Sequence, residues 1–170
     1  MELRKGQKGF APVYTPAARA LILGTYPSPK SFAQGFYYGH PQNRFWPLLT
    51  SLAGAPVPVS IQEKTALVTG GGLALWDTLE SCEITGAADS SIQNPVPNNI
   101  AWLLGQTNIE AVFCNGAAAY HFYGKFCLAQ TGLAAQRLPS TSPANAAFSL
   151  PRLREAWQPL AHYIEKRNET

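Results

Sequence analysis

Charged residues and cysteines are both scarce in this chain of 170 residues, and each shortage excludes a class of protein. Charged side chains make up 14% of the sequence and hydrophobic ones 46%, whereas a charged share of about 25% is usual. A chain this apolar can bury a core, which excludes an intrinsically disordered protein. The three cysteines, Cys82, Cys114 and Cys127, form no CxxC spacing, which argues against a disulfide framework, a zinc site and an iron–sulfur cluster.

Long apolar runs are absent too, since none approaches the roughly 20 residues needed to cross a bilayer. The basic start MELRKGQKGF has no apolar stretch behind it, which argues against a secretory signal. These features favour a cytoplasmic protein without membrane contact, which we expect to be a monomer. The net charge of +3 suits a nucleic-acid partner, although many proteins without such a partner share this balance.

The length predicts a single domain, residues 1–170. Apolar runs closed by turn residues predict four strands, and segments of helical character lie between them. Strands that alternate with helices indicate an α/β fold, here a three-layer α/β/α sandwich around a mainly parallel four-stranded sheet. The predicted strands are 18–26, 71–79, 109–116 and 134–143, and the predicted helices are 45–54, 61–69, 98–106, 117–132 and 150–167, the last kinked at Pro159.

Polar and turn-forming residues follow each of the four predicted strands. The sequences at these points are TYPSPKS, WDTLES, NGAA and STSPAN. In a doubly wound sheet the ligand lies beyond the carboxyl ends of the strands, so the pattern predicts a site at that edge. The longest loop-like segment is ADSSIQNPVPNN, residues 88–99.

The stretch YYGHPQNRFWPLL, residues 37–49, combines four aromatic rings with an imidazole, two amides and an arginine. Proline is most at home at the first helical position, so Pro47 would place Asn43 in the preceding loop with its side chain free. Alternatively, Asn43 caps a helix that begins at residue 44. Position alone does not separate the two interpretations.

The rings of this stretch divide into two groups. Phe45 and Trp46 open an amphipathic helix and are expected in the core. The adjacent rings at 36–38 lie in a glycine-rich loop and cannot all face inward, so at least one should present a face to a ligand. A nucleobase fits such a ring, because stacking contributes about 1–3 kcal/mol per base. His40 is expected to hydrogen-bond a backbone carbonyl across the turn.

Taken together, four segments resemble the uracil-DNA glycosylase superfamily, and most of all its hypoxanthine-DNA (deoxyinosine) glycosylase branch. The segments are LILGTYPS (21–28), YYGHPQNRFW (37–46), GLALWDTLESC (72–82) and LPSTSPAN (138–145). The resemblance implies a monofunctional glycosylase of base excision repair, with DNA containing a deaminated base as its partner and no metal or other cofactor. Such an enzyme flips the base out of the duplex and hydrolyses its N-glycosidic bond.

The resemblance also implies roles for individual residues. Many members carry Asp or Asn where this chain has Tyr26, and the hypoxanthine branch instead uses the asparagine of an HPxN stretch, which maps onto Asn43 as the catalytic residue. Tyr26, Tyr38 and Asp77 form the expected base-binding set, with Tyr38 stacking on the base. Asp77 would accept a hydrogen bond from the ring N–H of hypoxanthine, or equally would cap the turn after its strand. Tyr26 makes uracil a less favoured substrate.

Contacts to DNA are expected from the first segment with the loop just after it and from the last segment, where small side chains can approach phosphates. Pro143 and Ala144 stand where relatives carry a wedge that fills the gap left by the base, and alanine is too small to fill it well. Simple turn formation is the alternative for this segment. Lys30 could form a Schiff base, but a solvated or phosphate-contacting lysine is favoured. The DNA-contacting residues are Ser28, Lys30, Ser140, Ser142, Pro143, Ala144 and Asn145.

Other functions fit less well. A binding module that keeps the glycosylase fold but has lost the chemistry would differ at Asn43, Tyr38 or Asp77, and all three are present. The segment LGTYPSPK contains neither GxGxxG nor GxxxxGK[ST], which excludes a Rossmann-type nucleotide enzyme. No HxE with a downstream PCxxC occurs, which excludes a zinc deaminase, and the acids near strand ends are too few for a metal-dependent nuclease.

Overall fold

The computed structural model describes residues 2–165. In chain order its strands are β1 (Leu3–Lys5), β2 (Ala20–Gly24), β3 (Leu73–Asp77), β4 (Leu79–Thr85), β5 (Gln93–Pro97), β6 (Ala111–Asn115) and β7 (Ala135–Leu138). Its α-helices are α1 (Pro29–Gln34), α2 (Phe45–Ala53), α3 (Ile61–Gly70), α4 (Ile100–Gly105), α5 (Ala117–Phe126), α6 (Leu128–Thr131), α7 (Leu150–Ala156) and α8 (Gln158–Ala161).

The central sheet has the strand order β3-β2-β6-β7, and all neighbouring strands in it are parallel. Every residue of β2 and β3 is buried, because the helices lie around the sheet and parallel strands are covered on both faces. The prediction of a four-stranded parallel sheet in an α/β sandwich is confirmed. Each of its strands lies inside the segment predicted for it.

Helix α2 packs its apolar side against the core. Its buried residues include Phe45, Leu48, Leu49 and Leu52, which recur at the spacing of one helical face. Trp46 is buried as well, so the prediction that the rings opening this helix belong to the core is confirmed. Fully burying one such side chain contributes about 1.5–3 kcal/mol. The core therefore holds the start of α2, and the residue before it, in a fixed position.

A second, antiparallel sheet in the order β1-β4-β5 was not predicted. Strand β5 lies within the segment 88–99, so the prediction of a loop there was wrong. Its sequence QNPVP contains two prolines, which are tolerated because β5 is an edge strand. Only Thr78 separates β3 from β4, and the predicted strand 71–79 contains β3 and only the first residue of β4. This sheet matters for function because it covers one side of the site described below.

Two predicted helices are each interrupted in the structure. The segment 117–132 contains α5 and α6, which meet at Cys127. The segment 150–167 contains α7 and α8, which meet at Trp157, and Pro159 lies in the first turn of α8. The expected kink is therefore a helix end, as a proline within a helix often causes. Residues 166–167 of that prediction lie outside the described residues. Within 2–165 no helix is long and apolar enough to cross a bilayer.

Candidate active site

A cavity of about 120 Å³ lies beyond the carboxyl ends of three strands of the central sheet. β2 ends in Gly24, β3 in Asp77 and β6 in Asn115, and all three residues line this cavity. Loops that follow the strands complete its wall, including residues 25–28 after β2 and 140–142 after β7. This cavity therefore lies at the edge of the sheet where the sequence predicts a site.

Asn43 lines the cavity and has a fixed side chain. Its Oδ1 accepts one hydrogen bond from the backbone N–H of Phe45 and one from the hydroxyl of Thr141, each at 2.9 Å. A carbonyl oxygen has two lone pairs, so both acceptor positions are used. The N–H of Phe45 can only donate, which fixes Oδ1 rather than Nδ2 on that side. Nδ2 is the end of the amide left for a ligand.

The start of α2 reconciles the two interpretations of Asn43. The helix begins at Phe45, so Pro47 is its third residue and not its first as expected. Proline is accommodated there because the first four N–H groups of a helix have no intrahelical partner. Asn43 satisfies one of these N–H groups, that of Phe45, while it also lines the cavity. The two roles are therefore compatible.

Thr141 and Asn115 hold Asn43 from the far side. The amide Nδ2 of Asn115 donates to Oγ1 of Thr141, and Oδ1 of Asn115 accepts from the backbone N–H of Thr141, both at 3.0 Å. Thr141 and Asn115 are both buried. Sequence reasoning missed these two residues, although the Asn-Gly at the end of β6 and the STSPAN segment were both noticed. A chain of oriented bonds thus runs from β6 to the amide of Asn43.

Tyr38 has a backbone conformation that non-glycine residues adopt only at a cost. Its φ is 54°, and a strained φ of this kind costs about 1–3 kcal/mol and is common at functional sites. One face of its ring stacks on Phe45, with centroids 4.1 Å apart and planes at 25°. Only the opposite face is left for a ligand in the cavity that Tyr38 lines. Its hydroxyl is buried without a hydrogen-bond partner, and burial raises its pKa, so it stays protonated.

Asp77 is buried at the bottom of this site, with 5% of its surface exposed. Its Oδ2 has no hydrogen-bond partner, and only Thr78 separates it from β4. A Cβ on Gly24 would lie 2.5 Å from Oδ1 of Asp77 and 3.0 Å from the Tyr38 hydroxyl. The absence of a side chain at Gly24 therefore makes room for both groups. Burial, and secondarily the charge of Asp89, raise the pKa of Asp77 to about 7.

The unpredicted antiparallel sheet supplies another wall of the cavity. Arg4 comes from β1, and Asp89 opens a short 3-10 helix, Asp89–Ser91, between β4 and β5. The Arg4 guanidinium donates to the carbonyls of Gly86 and Pro27. Burial raises the pKa of Asp89. Neither residue was expected at the site, because no local pattern connects these segments to the motifs of the central sheet.

Tyr26 and Ser28 both line the cavity, but local contacts occupy their polar groups. The Tyr26 hydroxyl donates to the carbonyl of Gln7, and its ring lies beneath the Arg4 guanidinium. Ser28 caps α1, where its Oγ accepts from the N–H of Ser31. Tyr26 therefore presents a ring rather than a hydroxyl to a ligand. Lys30 is exposed on α1 and does not line the cavity.

The STSPAN segment forms a compact turn at the rim of the cavity. Ser140 and Ser142 line the cavity, and each Oγ also accepts a backbone N–H within the segment. Asn145 donates from Nδ2 to the carbonyl of Ser140, while Ala144 is exposed and Pro143 is half-buried. The turn interpretation and a DNA-contacting surface are thus compatible, and Pro143, Ala144 and Asn145 lie outside the cavity lining.

Arg44, which sequence reasoning also missed, fastens this turn to the start of α2. Its guanidinium donates to the carbonyls of Ser142 at 2.8 Å and Asn145 at 3.0 Å, and also to that of Phe148. These acceptors are neutral carbonyls and not carboxylates.

His40 lies in the same loop as Arg44. Its Nδ1 accepts a hydrogen bond from the backbone N–H of Gln42. The expected bond from His40 to a carbonyl was wrong in direction, although its structural role is local as predicted.

Known proteins resemble this chain over most of its length. The sequence model of the Uracil DNA glycosylase superfamily matches residues 11–161. A hypoxanthine DNA glycosylase of Methanosarcina barkeri is 29% identical over 153 residues, which are 89% of this chain and 95% of that protein. A hypoxanthine DNA glycosylase of Methanosarcina acetivorans is 30% identical over 154 residues, 89% of this chain and 96% of that protein.

A solved structure extends the likeness to three dimensions. The solution NMR structure of a candidate uracil DNA glycosylase from Methanosarcina acetivorans matches with a TM-score of 0.80 and 28% identity. The match covers 95% of this chain and 99% of that one. The resemblance read from the four sequence segments is confirmed. This chain belongs to the uracil DNA glycosylase superfamily and is a DNA N-glycosylase.

Proposed function

We propose that this enzyme is a monofunctional glycosylase that removes hypoxanthine from DNA, with uracil as a poorer substrate. The observation that carries the proposal is that Tyr38, Asn43 and Asp77 line one small cavity beyond the carboxyl ends of the strands. A ring face, a fixed amide and an acid are the groups needed to hold and release a base. The names of the two Methanosarcina relatives support hypoxanthine as the base.

The cavity is suited to one extruded base and not to a stacked duplex. Flipping a nucleotide costs a few kcal/mol of pairing and stacking, and least for a mispaired base. Hypoxanthine arises by deamination and mispairs, so part of the selectivity precedes entry into the cavity. Inside it, the free face of Tyr38 would stack on the base, and stacking of this kind contributes about 1–3 kcal/mol.

Asn43 would assist hydrolysis by holding the attacking water in place. A polar group that is fixed in a small site does this without reorganisation at the moment of reaction. The amide of Asn43 is fixed by Phe45 and Thr141. We assign Asn43 the alignment of the attacking water, with Nδ2 as its free contact. Because Oδ1 already accepts two hydrogen bonds, a water that bound to Oδ1 would have to replace one of them.

DNA would contact the rim formed by Ser28, Ser140 and Ser142, with Lys30 and residues 143–145 outside the cavity. Their side chains are small or flexible and can approach phosphates. Ala144 is exposed and would enter the gap left by the base only shallowly. Lys30 is exposed and does not line the cavity, which disfavours Schiff-base chemistry at the sugar and supports a monofunctional enzyme.

The test is a panel of duplexes, each with a single deoxyinosine, deoxyuridine or deoxyxanthosine. We expect excision from the deoxyinosine duplex, with strand scission only after alkali because the enzyme leaves an intact abasic site. Asn43→Ala should lower the single-turnover rate by about 100-fold or more, the scale of losing an oriented polar group, while DNA binding persists. Asn108→Ala, an exposed position away from the cavity, is the matched control.

Three outcomes would contradict the proposal. Excision of none of the bases would favour a module that binds DNA without cleaving it. Equal rates for the parent and Asn43→Ala would remove Asn43 from the chemistry. Scission without alkali, abolished by Lys30→Met, would make the enzyme bifunctional.

A further inference from the structure

The carboxyl group of Asp77 lies in surroundings that oppose a negative charge. It is 5% exposed, and its Oδ2 accepts no hydrogen bond. The ion pairs found within residues 2–165 all join other residues. Arg4 shares the cavity, but its guanidinium is engaged by two backbone carbonyls. An ionised carboxylate in such a place would have lost its water without gaining a partner.

The groups that line the cavity together with Asp77 come from several elements, and most of them are neutral or acidic. They are phenols from the loops after β2 and α1, an amide from β6, the Arg4 guanidinium from β1, and a second acid, Asp89, from the short 3-10 helix. The charge of Asp89 raises the pKa of Asp77, after burial as the larger cause. Two acids near one small cavity disfavour the doubly ionised state. The pKa of Asp77, about 7, places both of its forms within reach near neutral pH.

The chemistry of the leaving group also favours a protonated Asp77. When the glycosidic C–N bond breaks, its electron pair goes to the base, which becomes an anion. An ionised Asp77 against this base would repel the developing charge, whereas a protonated acid can donate a hydrogen bond to it. Hypoxanthine and uracil both carry a carbonyl beside a ring N–H, the lactam edge. A protonated carboxyl group matches that edge with two hydrogen bonds, O–H to the carbonyl and C=O from the N–H.

We propose that Asp77 recognises the lactam edge of the extruded base as a neutral carboxylic acid, and that Asp89 helps to hold it in that form. The inference rests on the proposed function and adds how the base is read. Asp77 keeps its proton throughout. Water oxygen bonds to C1′ as the C–N bond breaks, and one water proton reaches the departing base through solvent. A carboxylic acid kept neutral by an apolar site so that it can donate a hydrogen bond has precedent in enzymes.

The test compares pH profiles of single-turnover excision from a deoxyinosine duplex, with enzyme in excess, between pH 5.5 and 9. The parent should lose about tenfold per pH unit once the pH exceeds the pKa of Asp77. Asp77→Asn, a permanently neutral donor and acceptor, should be slower but should lack this alkaline fall. Asp77→Ala, with no polar group, should be about 100-fold or more slower than the parent below the pKa of Asp77 and should lack the alkaline fall as well. Asp89→Asn should move the start of the fall to lower pH, because the charge that raises the pKa of Asp77 is gone.

A direct titration keeps the inference testable if a variant does not fold. The carboxyl carbon of Asp77, observed by NMR in the ¹³C-labelled parent, should titrate with a midpoint near pH 7. A midpoint below about 5, or an Asp77→Asn variant as inactive as Asp77→Ala, would overturn the inference while leaving the proposed function intact. If the parent excises no base while Asp77 still titrates near pH 7, the proposed function fails and the buried neutral acid remains.

Discussion

The hydroxyl of Thr141 lies 2.9 Å from Oδ1 of Asn43 and joins two motifs that are almost one hundred residues apart in the chain. The same hydroxyl oxygen accepts from Nδ2 of Asn115. It has one proton to give, and that proton goes to Asn43. The amide plane at the cavity wall is therefore fixed by a threonine that does not need to touch the substrate's reacting atoms. Thr141 is a positioning residue.

Removing this hydroxyl should impair the chemistry more than the binding. Thr141→Val keeps the shape of the side chain but leaves Oδ1 of Asn43 and Nδ2 of Asn115 each short of one partner. An unsatisfied buried polar group costs about 1–3 kcal/mol. We expect kcat to fall by about 10- to 100-fold with KM for DNA little changed, measured on the deoxyinosine duplex. Thr141→Ser retains the hydroxyl and should restore most of the rate. Equal losses for valine and serine would mean that packing, not the hydrogen bond, is what matters.

The Arg44 clamp should control the order of the STSPAN turn. Replacing Arg44 by Met removes donors from several backbone carbonyls between residues 141 and 148 at once. We expect amide hydrogen exchange in 141–148 to accelerate by about tenfold or more, and the free energy of unfolding to fall by about 1–3 kcal/mol. A lysine ammonium group cannot reproduce the planar set of N–H donors of a guanidinium. Arg44→Lys should therefore restore little of the slow exchange or of the stability.

The matched control for the clamp is Arg19→Met. Arg19 pairs with Glu110 at 2.9 Å on the exposed surface, and such pairs contribute little. Arg19→Met should therefore leave the rate of amide hydrogen exchange in residues 141–148 the same as in the parent. Slow exchange that persisted in Arg44→Met would show that the turn is ordered by its own serine and asparagine bonds alone.

Three strands of the central sheet, β2, β3 and β6, were predictable because they are mainly apolar runs, and such runs have few alternatives once both faces are covered. β7, with the sequence AQRL, is an exception, since its two middle residues are polar and exposed. The antiparallel sheet was not predictable, because its signals are weak. β5 carries two prolines and mostly exposed residues, and β1 is three residues long. Its pairing with β4 joins Leu3 to Thr85, a long-range contact that no local pattern encodes. Long-range contacts, and not local sequence preferences, therefore determine that this antiparallel sheet forms.

The candidate site was partly predictable because three of its residues follow from the position of the predicted central strands. Tyr38, Asn43 and Asp77 stand in motifs next to strand ends, and the topology brings them to one cavity. Thr141 and Asn115 matter through hydrogen bonds that depend on side-chain geometry, and Asp89 matters through a wall supplied by the unpredicted sheet. Sequence identified the groups that could touch a base. It could not identify the groups that orient them or set their charge.

Stability should depend on pH through Asp77. Its pKa is about 7 in the folded protein against an ordinary value of 3.8, so between these values the folded state holds a proton that the unfolded state has lost. This proton contributes a few kcal/mol to the free energy of unfolding. The contribution is fully present below about pH 4 and is lost as the pH rises to about 7. Asp77→Asn lacks this contribution. The free energy of unfolding of Asp77→Asn, measured relative to that of the parent, should therefore be higher at pH 8 than at pH 5.

Urea titrations at the two pH values measure this difference. Asp89 also has a raised pKa, and comparing the variant with the parent cancels most of its contribution. A difference that is the same at pH 5 and pH 8 would mean that Asp77 titrates normally. Because stability is measured without DNA, the result tests the buried acid independently of substrate recognition.

Gly24 should tolerate no side chain, for a reason that lies in its neighbours and not in its own backbone. Its φ is not in the left-handed region, but an added Cβ would lie 2.5 Å from Oδ1 of Asp77 and 3.0 Å from the Tyr38 hydroxyl. Gly24→Ala must displace the acid from the bottom of the cavity. We expect a loss of about 1–3 kcal/mol in the free energy of unfolding and loss of excision activity.

A double-mutant cycle separates this clash from a general effect on β2. Asp77→Ala removes the nearer of the two obstacles, so Gly24→Ala should destabilise the Asp77→Ala protein less than it destabilises the parent, and the two changes should not be additive. Gly105→Ala, where an added Cβ meets nothing within 4 Å, should be close to neutral in either background. Additive losses would place the acid away from Gly24, and the cavity would then lack the group proposed to read the base.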